Sequence, residues 1–237
     1  MASKTPPHLN LCKNFIRSVA SRISIDTYQR LLGSSILREA FDQIASVPVF
    51  ETREQLWDEC IFKQIAASTR MTYVEFGVYK GYSIEYFAKR NSNSQSQFIG
   101  LDSFEGLPED WGTTPKGAFD VSGNIPKIPD TRVSFIKGRF QDTWNDLYLR
   151  LANTGITVVH YDADLYSSTL FALSKIDNFN KSYIAIFDEF PGHEARALYN
   201  YSQAFGATVS FIGKTNSDNN QPHQVMCRIT PHLAARG

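Results

Sequence analysis

The sequence is short of the features that mark out whole classes of protein. It has three cysteines in 237 residues, Cys12, Cys60 and Cys227. They are far apart and odd in number, and no C-x-x-C spacing occurs, which excludes a disulfide framework and the usual zinc sites. That usage points to a reducing compartment, and each cysteine reads as a small apolar core residue. Neither charge is in excess, since 24 Lys and Arg balance 24 Asp and Glu. A protein that grips nucleic acid by bulk electrostatics is therefore not expected. No run approaches the roughly 18 apolar residues that a membrane span needs. The opening stretch carries Lys13, Arg17 and Arg22, so it lacks the apolar segment of a secretion signal. The expectation is a soluble cytoplasmic protein with no nucleic-acid or membrane partner.

What the chain does have is apolar and aromatic side chains. Hydrophobic residues make up 42% and aromatic residues 13%, a composition that builds a packed core rather than a disordered scaffold. The length suits one α/β domain with a helical appendage. Residues 9–46 predict helices, because Leu11, Phe15, Ile16, Val19 and Ile23 recur at helical spacing, as do Leu31, Leu32, Ile36, Leu37, Phe41 and Ile44. Residues 24–26 and Gly33 suggest breaks, with Asp26 or Thr27 as a helix cap. Thr52-Arg-Glu-Gln reads as a capping box opening a helix over 53–68.

From residue 72 the texture changes to short apolar runs alternating with helical stretches. Strands are expected at 72–76, 97–101, 132–137, 156–161, 183–187, 208–212 and 224–229, and helices at 83–89, 168–179 and 193–205. That alternation means βαβ units, a Rossmann-like doubly wound sheet, mainly parallel, with the last two strands as an antiparallel hairpin. The division expected is an N-terminal helical cap over 1–70 and a cofactor-binding domain over 71–237. Residues 104–131 hold eight glycines and prolines and fit no regular element. A loop of that length in a compact domain is a functional one or a disordered one.

Four clusters carry chemistry. In Val74-Glu75-Phe76-Gly77-Val78-Tyr79-Lys80-Gly81-Tyr82-Ser83 a strand runs through a glycine turn into a helix. Glycines let backbone approach a ligand, and the helix start offers free N–H groups to a carboxylate or phosphate. Asp102 closes the next strand, where a carboxylate accepts the hydroxyls of a ribose. His160-Tyr161-Asp162-Ala163-Asp164 and Phe187-Asp188-Glu189 end the fourth and fifth strands, at the edge where ligands enter such sheets. Carboxylates crowded there repel unless a cation neutralises them, and oxygen ligands suit Mg²⁺, Mn²⁺ or Ca²⁺. His193 follows the last cluster and is a candidate for proton transfer or for contact with the acceptor, while His160 reads as a core histidine. Trp111 and Phe119 suggest either a lid over an acceptor or plain surface packing.

These residues resemble a class I S-adenosylmethionine-dependent methyltransferase, and in particular the macrocin O-methyltransferase-like family, which modifies sugars on natural products. The specific stretches are G-L-D-S-F-E-G-L-P-E-D-W (100–111), D-A-D-L-Y-S-S-T (162–169) and F-D-E-F (187–190). The Gly81–Ser83 stretch is also similar to metal-dependent catechol O-methyltransferases. The resemblance implies that Gly77 and Gly81 shape the loop around the methionine end of S-adenosylmethionine, with Glu75 beneath it and Ser83 on its carboxylate. Asp102 would hold the ribose, with Ser103 and Phe104 beside the adenosine and Gly138, Arg139, Phe140 and Gln141 bordering the adenine. Asp162 would lie against the cofactor and join Asp188 and Glu189 as ligands of a divalent cation, expected to be Mg²⁺. Asp164 would be the general base, with His193 assisting. The acceptor would be a hydroxylated small molecule, a sugar moiety, and the chain would self-associate. Two departures stand out: no lysine lies near Asp164, as in the catechol enzymes, and the second acidic pair is Asp-Glu where Asp-Asp or Asp-Asn is usual. Three other readings use part of the same residues: a nicotinamide-dependent oxidoreductase, which lacks the third glycine of its fingerprint; a glycosyltransferase using Asp162-Ala-Asp164; and a non-catalytic cofactor-binding module.

Overall fold

The computed structural model describes residues 18–19, 21–151 and 155–234. The expected helical positions Leu11, Phe15 and Ile16, and Cys12, lie outside them. The described chain opens with helix α1 (Ile25–Glu39), capped by Ser24, whose Oγ accepts the Thr27 N–H at 3.1 Å. The cap is thus Ser24 and not Asp26 or Thr27. Gly33, expected as a break, lies inside α1. Its lack of a side chain has another use, because a Cβ there would come within 2.5 Å of the Gly192 Cα. Helix and turn meet backbone to backbone.

A two-residue strand β1 (Val49–Phe50) leads into α2 (Arg53–Asp58), which continues as a wider π turn over Glu59–Ile65. The capping box forms: Thr52 Oγ1 accepts from Gln55 N at 3.2 Å, while Gln55 Oε1 reaches back one residue further than expected, to Glu51 N at 3.0 Å. The alternating part follows as β2 (Thr72–Phe76), α3 (Tyr82–Arg90), β3 (Gln97–Asp102), β4 (Val133–Lys137), α4 (Phe140–Leu151), β5 (Val158–Tyr161), α5 (Tyr166–Ile176), β6 (Tyr183–Phe187), α6 (Ala195–Phe205), β7 (Thr208–Asn216) and β8 (Pro222–Thr230).

The eight strands form one sheet in the order β1-β7-β8-β6-β5-β2-β3-β4. Only β8 runs antiparallel to its neighbours, through the expected hairpin with β7. The order reverses between β2 and β5, which are adjacent and parallel. That reversal is the switch point of a Rossmann-like fold, and it opens a crevice at the carboxyl ends of those two strands.

Helices cover both faces, as a parallel sheet requires. One core packs Val74, Phe76, Ile99, Leu101, Val159 and Phe187 against α1, α4, α5 and α6. The other packs Tyr73, Phe98, Val158, Ile184, Ile186 and Met226 against α2, its π turn and α3. Cys60 and Cys227 are buried free thiols, as read from the sequence. Among the described residues no helix is long and apolar enough to cross a membrane.

Candidate active site

Strand alternation decides which side chains meet beneath the crevice. Tyr73 and Glu75 on β2 point to the same face of the sheet as Val158 and His160 on β5 and Ile184 and Ile186 on β6, because side chains two apart share a face. Pairing puts Glu75 directly beside His160. Both are fully buried. Tyr73 Oη lies 2.9 Å from His160 Nδ1, and Ser83 Oγ donates to Glu75 Oε1. The expected core histidine is therefore a hub. Its Nδ1 is 3.5 Å from Glu75 Oε1 and its Nε2 is 3.7 Å from Asp188 Oδ1. Burial pushes the Glu75 carboxyl up to about 7, against the pull of His160 and the Ser83 hydroxyl.

The glycine turn is built for close approach. Gly77 has φ of +92°, and a Cβ on it would lie 1.7 Å from the main-chain oxygen of Asp162. Only glycine fits both the conformation and the space. Gly81 is the left-handed residue before α3, a helix start with no side-chain cap, and the first amides of such a helix are available as donors for an anion.

Asp102 stands at the end of β3 as expected, and its partners are new. Val78 N and Tyr79 N both donate to its Oδ2 at 2.8 Å, and Phe104 N donates to Oδ1 at 2.7 Å. A carboxylate has about four acceptor positions; three are filled by backbone, which locks the glycine turn to the end of β3. Ser103 accepts from Glu105 N at 3.1 Å. Phe104 is buried edge-on to Phe135. The turn Gly138–Gln141 abuts the same strand end, with Gly138 N donating to Asp102 O at 2.9 Å and Phe140 edge-on to Phe76.

Residues 104–131 are ordered rather than loose. Main-chain bonds tie Leu107 to Ala118, Trp111 to Thr114 and Gly123 to Phe104. Pro126 and Ile128 close over Gly81, and Phe119 sits edge-on to Tyr79. Trp111 and Thr114 then line a cleft of about 340 Å³ together with Ser34 of α1 and Glu189, Pro191, Gly192 and His193. That volume is at the small end of ligand pockets.

The other wall is acidic. Burial, with the carboxylates of Asp188, Asp164 and Glu75 nearby, holds Asp162 well above the usual carboxylate range. Burial and the charges of Glu189 and Asp188 bring Asp164 up to about 7. Asp164 has φ of +57°, an uncommon left-handed backbone for a non-glycine residue, of the kind that gathers at functional sites. Glu189 is also raised by burial, with His223 pulling the other way. Asp188 alone is lowered: burial opposes its charge, but His160, Arg53 and Gln224 outweigh it.

Three contributors were not foreseen in the sequence. Glu194 is fully buried at the start of α6, where its Oε2 accepts Glu189 N at 3.1 Å and its Oε1 has no partner. Burial and four neighbouring carboxylates hold it well above the usual range. An acid just after F-D-E-F is the signal that was available. Gln224 donates from Nε2 to Asp188 Oδ1. Arg53, stacked over Trp57 and Tyr82, supplies positive charge toward Asp162 and Asp188.

Two further expectations meet this geometry. His193 Nδ1 accepts the Tyr166 N–H at 3.2 Å, which in the neutral ring leaves the proton on Nε2. The Mg²⁺ site expected at Asp162, Asp188 and Glu189 does not form from this donor set. Among the described residues no three His, Cys, Asp or Glu side chains stand close enough to hold a metal ion. The reason is local: Asp188 is turned toward Gln224 and His160, and Glu189 toward His223.

No protein-family model matches the chain, and no curated protein matches it. Solved structures do. A crystal structure of CalS11, described as a calicheamicin methyltransferase, superposes with a TM-score of 0.53 at 18% identity, over 87% of this chain and 94% of that one. An apo structure of CalS11, described as a TDP-rhamnose 3'-O-methyltransferase, gives 0.49 at 18%, over 87% and 96%. An O-methyltransferase from Bacillus cereus in complex with SAH gives 0.47 at 12%, over 90% and 96%. The chain has the Rossmann-like fold of methyltransferases, which the first superposition carries at the level of fold.

Proposed function

We propose that this protein is an S-adenosylmethionine-dependent O-methyltransferase acting on a hydroxyl of a small molecule, a sugar moiety of a natural product. One observation carries the reading. At the switch point of the sheet the Gly77–Ser83 turn touches the main chain of Asp162, with Asp102 beside it and the raised carboxyl of Asp164 two residues on. A cofactor pocket and a candidate base thus share one crevice. The superposition on a protein described as a methyltransferase agrees with it.

The residues fit the cofactor, with two adjustments. The hydroxyl of Ser83 is given to Glu75, so the amides at the start of α3 are the donors for the cofactor carboxylate. Asp102 keeps one acceptor position on Oδ1 for a ribose hydroxyl. When bound, S-adenosylmethionine supplies a methyl group already activated on a sulfonium. What remains for the chain is to orient an acceptor oxygen and take its proton. Orientation falls to the cleft between Trp111, Thr114 and His193, which holds the acceptor against the crevice, and holding two reactants together accounts for much of a transfer rate. Asp164, with a carboxyl near 7, is matched to neutral pH as the general base. Closure of residues 104–131 over Gly81 keeps water out. The Mg²⁺ expected from the sequence has no part in these steps, because its donor set does not converge.

In this reading residues 71–237 carry the cofactor, and the segment before them caps the acceptor cleft through Ser34. Calorimetric titration with S-adenosylhomocysteine tests it. Saturable binding that is lost in Gly77→Val, with no binding of sugar nucleotides or nicotinamides, is the expected result. Absence of binding removes the methyltransferase reading.

A further inference from the structure

Strand register brings β8 against the acidic pair. Ile186 is paired with Met226 and Phe187 with Val225 in the antiparallel ladder. Just beyond the end of that ladder, side-chain contacts join Gln224 to Asp188 and His223 to Glu189. Gln224 is buried and fixed at its main chain, where its N–H donates to Thr215 Oγ1 at 3.0 Å. Its Nε2 donates to Asp188 Oδ1. Turning the amide over would set two acceptor oxygens against each other, so the assignment follows from the network. His223 Nδ1 lies 3.4 Å from Glu189 Oε2, and His160 Nε2 lies 3.7 Å from Asp188 Oδ1.

We infer that β8 holds the Asp188–Glu189 pair with Gln224 and His223 in place of a divalent cation, so that the acidic wall is organised by the chain itself. A hard cation wants six or more oxygens around it. Here Gln224 Nε2 already donates to the Asp188 oxygen it would take, and the His223 ring stands 3.4 Å from the Glu189 oxygen. Gln224 and His223 are positioning residues: they touch the acids and not the reacting atoms. The inference concerns the site of the methyltransferase reading but does not depend on its being correct, since metal uptake is measured without cofactor or acceptor.

The test is titration of Mn²⁺ into the purified full chain, with free metal followed by electron paramagnetic resonance. The wild type is expected to take up no Mn²⁺ at micromolar free metal. His223→Ala/Gln224→Ala is expected to gain uptake that Asp188→Asn then removes. Should the double variant melt during purification, Gln224→Glu offers an oxygen at the same place and is expected to gain uptake likewise. One equivalent bound by the wild type and lost in Asp188→Asn overturns the inference. So do folded β8 variants that take up no more metal than the wild type. S-adenosylhomocysteine calorimetry on the same samples reports on the cofactor reading separately.

Discussion

The two sides of the crevice solve the problem of a carboxylate at a strand end in opposite ways. On the β2–β3 side Asp102 is satisfied by three backbone amides at 2.7–2.8 Å. Bonds of that kind tie the glycine turn to the end of β3 and keep the loop rigid. On the β5–β6 side five acids crowd together and four of them are pushed up, with Asp188 alone pulled down. The first arrangement suits holding a ligand in one pose. The second suits giving and taking a proton. In the proposed reading, the same residue type at equivalent places in the fold would serve binding on one side and acid–base chemistry on the other.

The largest expected effect comes from breaking the joint between the two sides. Gly77→Val drives a side chain into the main chain of Asp162, and a loss of roughly 3–5 kcal/mol is expected in urea denaturation. A variant as stable as the wild type would mean the two strand ends are not in contact. On the acidic side, Asp164→Asn is expected to slow methyl transfer by roughly 10²–10⁴-fold while leaving S-adenosylhomocysteine affinity within about a factor of two, the mark of a base rather than a binding group. The wild-type rate should rise with pH through about 7 as Asp164 loses its proton, and that limb should vanish in the variant.

Asp102→Ala probes the binding side. Three amides lose their acceptor, which is expected to cost about 1–3 kcal/mol of stability and to weaken cofactor binding with little change in turnover at saturation. The smallest effect sharpens the comparison at Glu75, which lies between the two sides. Its folded pKa, about 7, is above its ordinary 4.5. The folded state therefore holds the proton more tightly, and stability falls as pH rises from about 4.5 to 7. Glu75→Gln stays neutral throughout, so its melting temperature should gain on the wild type above pH 7 and not below pH 5. Parallel curves would place Glu75 in a solvated setting.

Much of this was legible in the sequence. The strands at 72–76 and 183–187 were read to the residue, and β3, β4 and β5 to within two, because strands buried on both faces are continuous apolar runs between turn residues. Helix α4 was not read, although Thr143, Trp144, Leu147 and Leu151 bury one face; the polar residues between them and a preceding glycine turn masked the period. A two-residue β1 has no period at all. The acids of the site were found by their places at strand ends. Their partners were not, because Asp102 to Val78 and Asp188 to Gln224 are contacts of tertiary structure and strand register, 24 and 36 residues apart. Gly33 misled for a similar reason. Glycine in a helix reads as a break until the neighbour that needs the space is known.

That glycine has a consequence for traffic. Where Gly33 meets Gly192 no side chain stands between helix and turn, so there is nothing to rotate aside. The wall of the cleft that carries His193 leans on α1 as a door leans on its frame. Widening the cleft on that side takes a shift of helix against turn, a collective motion of microseconds to milliseconds rather than the picoseconds of a side-chain flip. One wall of the cleft is thereby tied to a segment far from it in sequence.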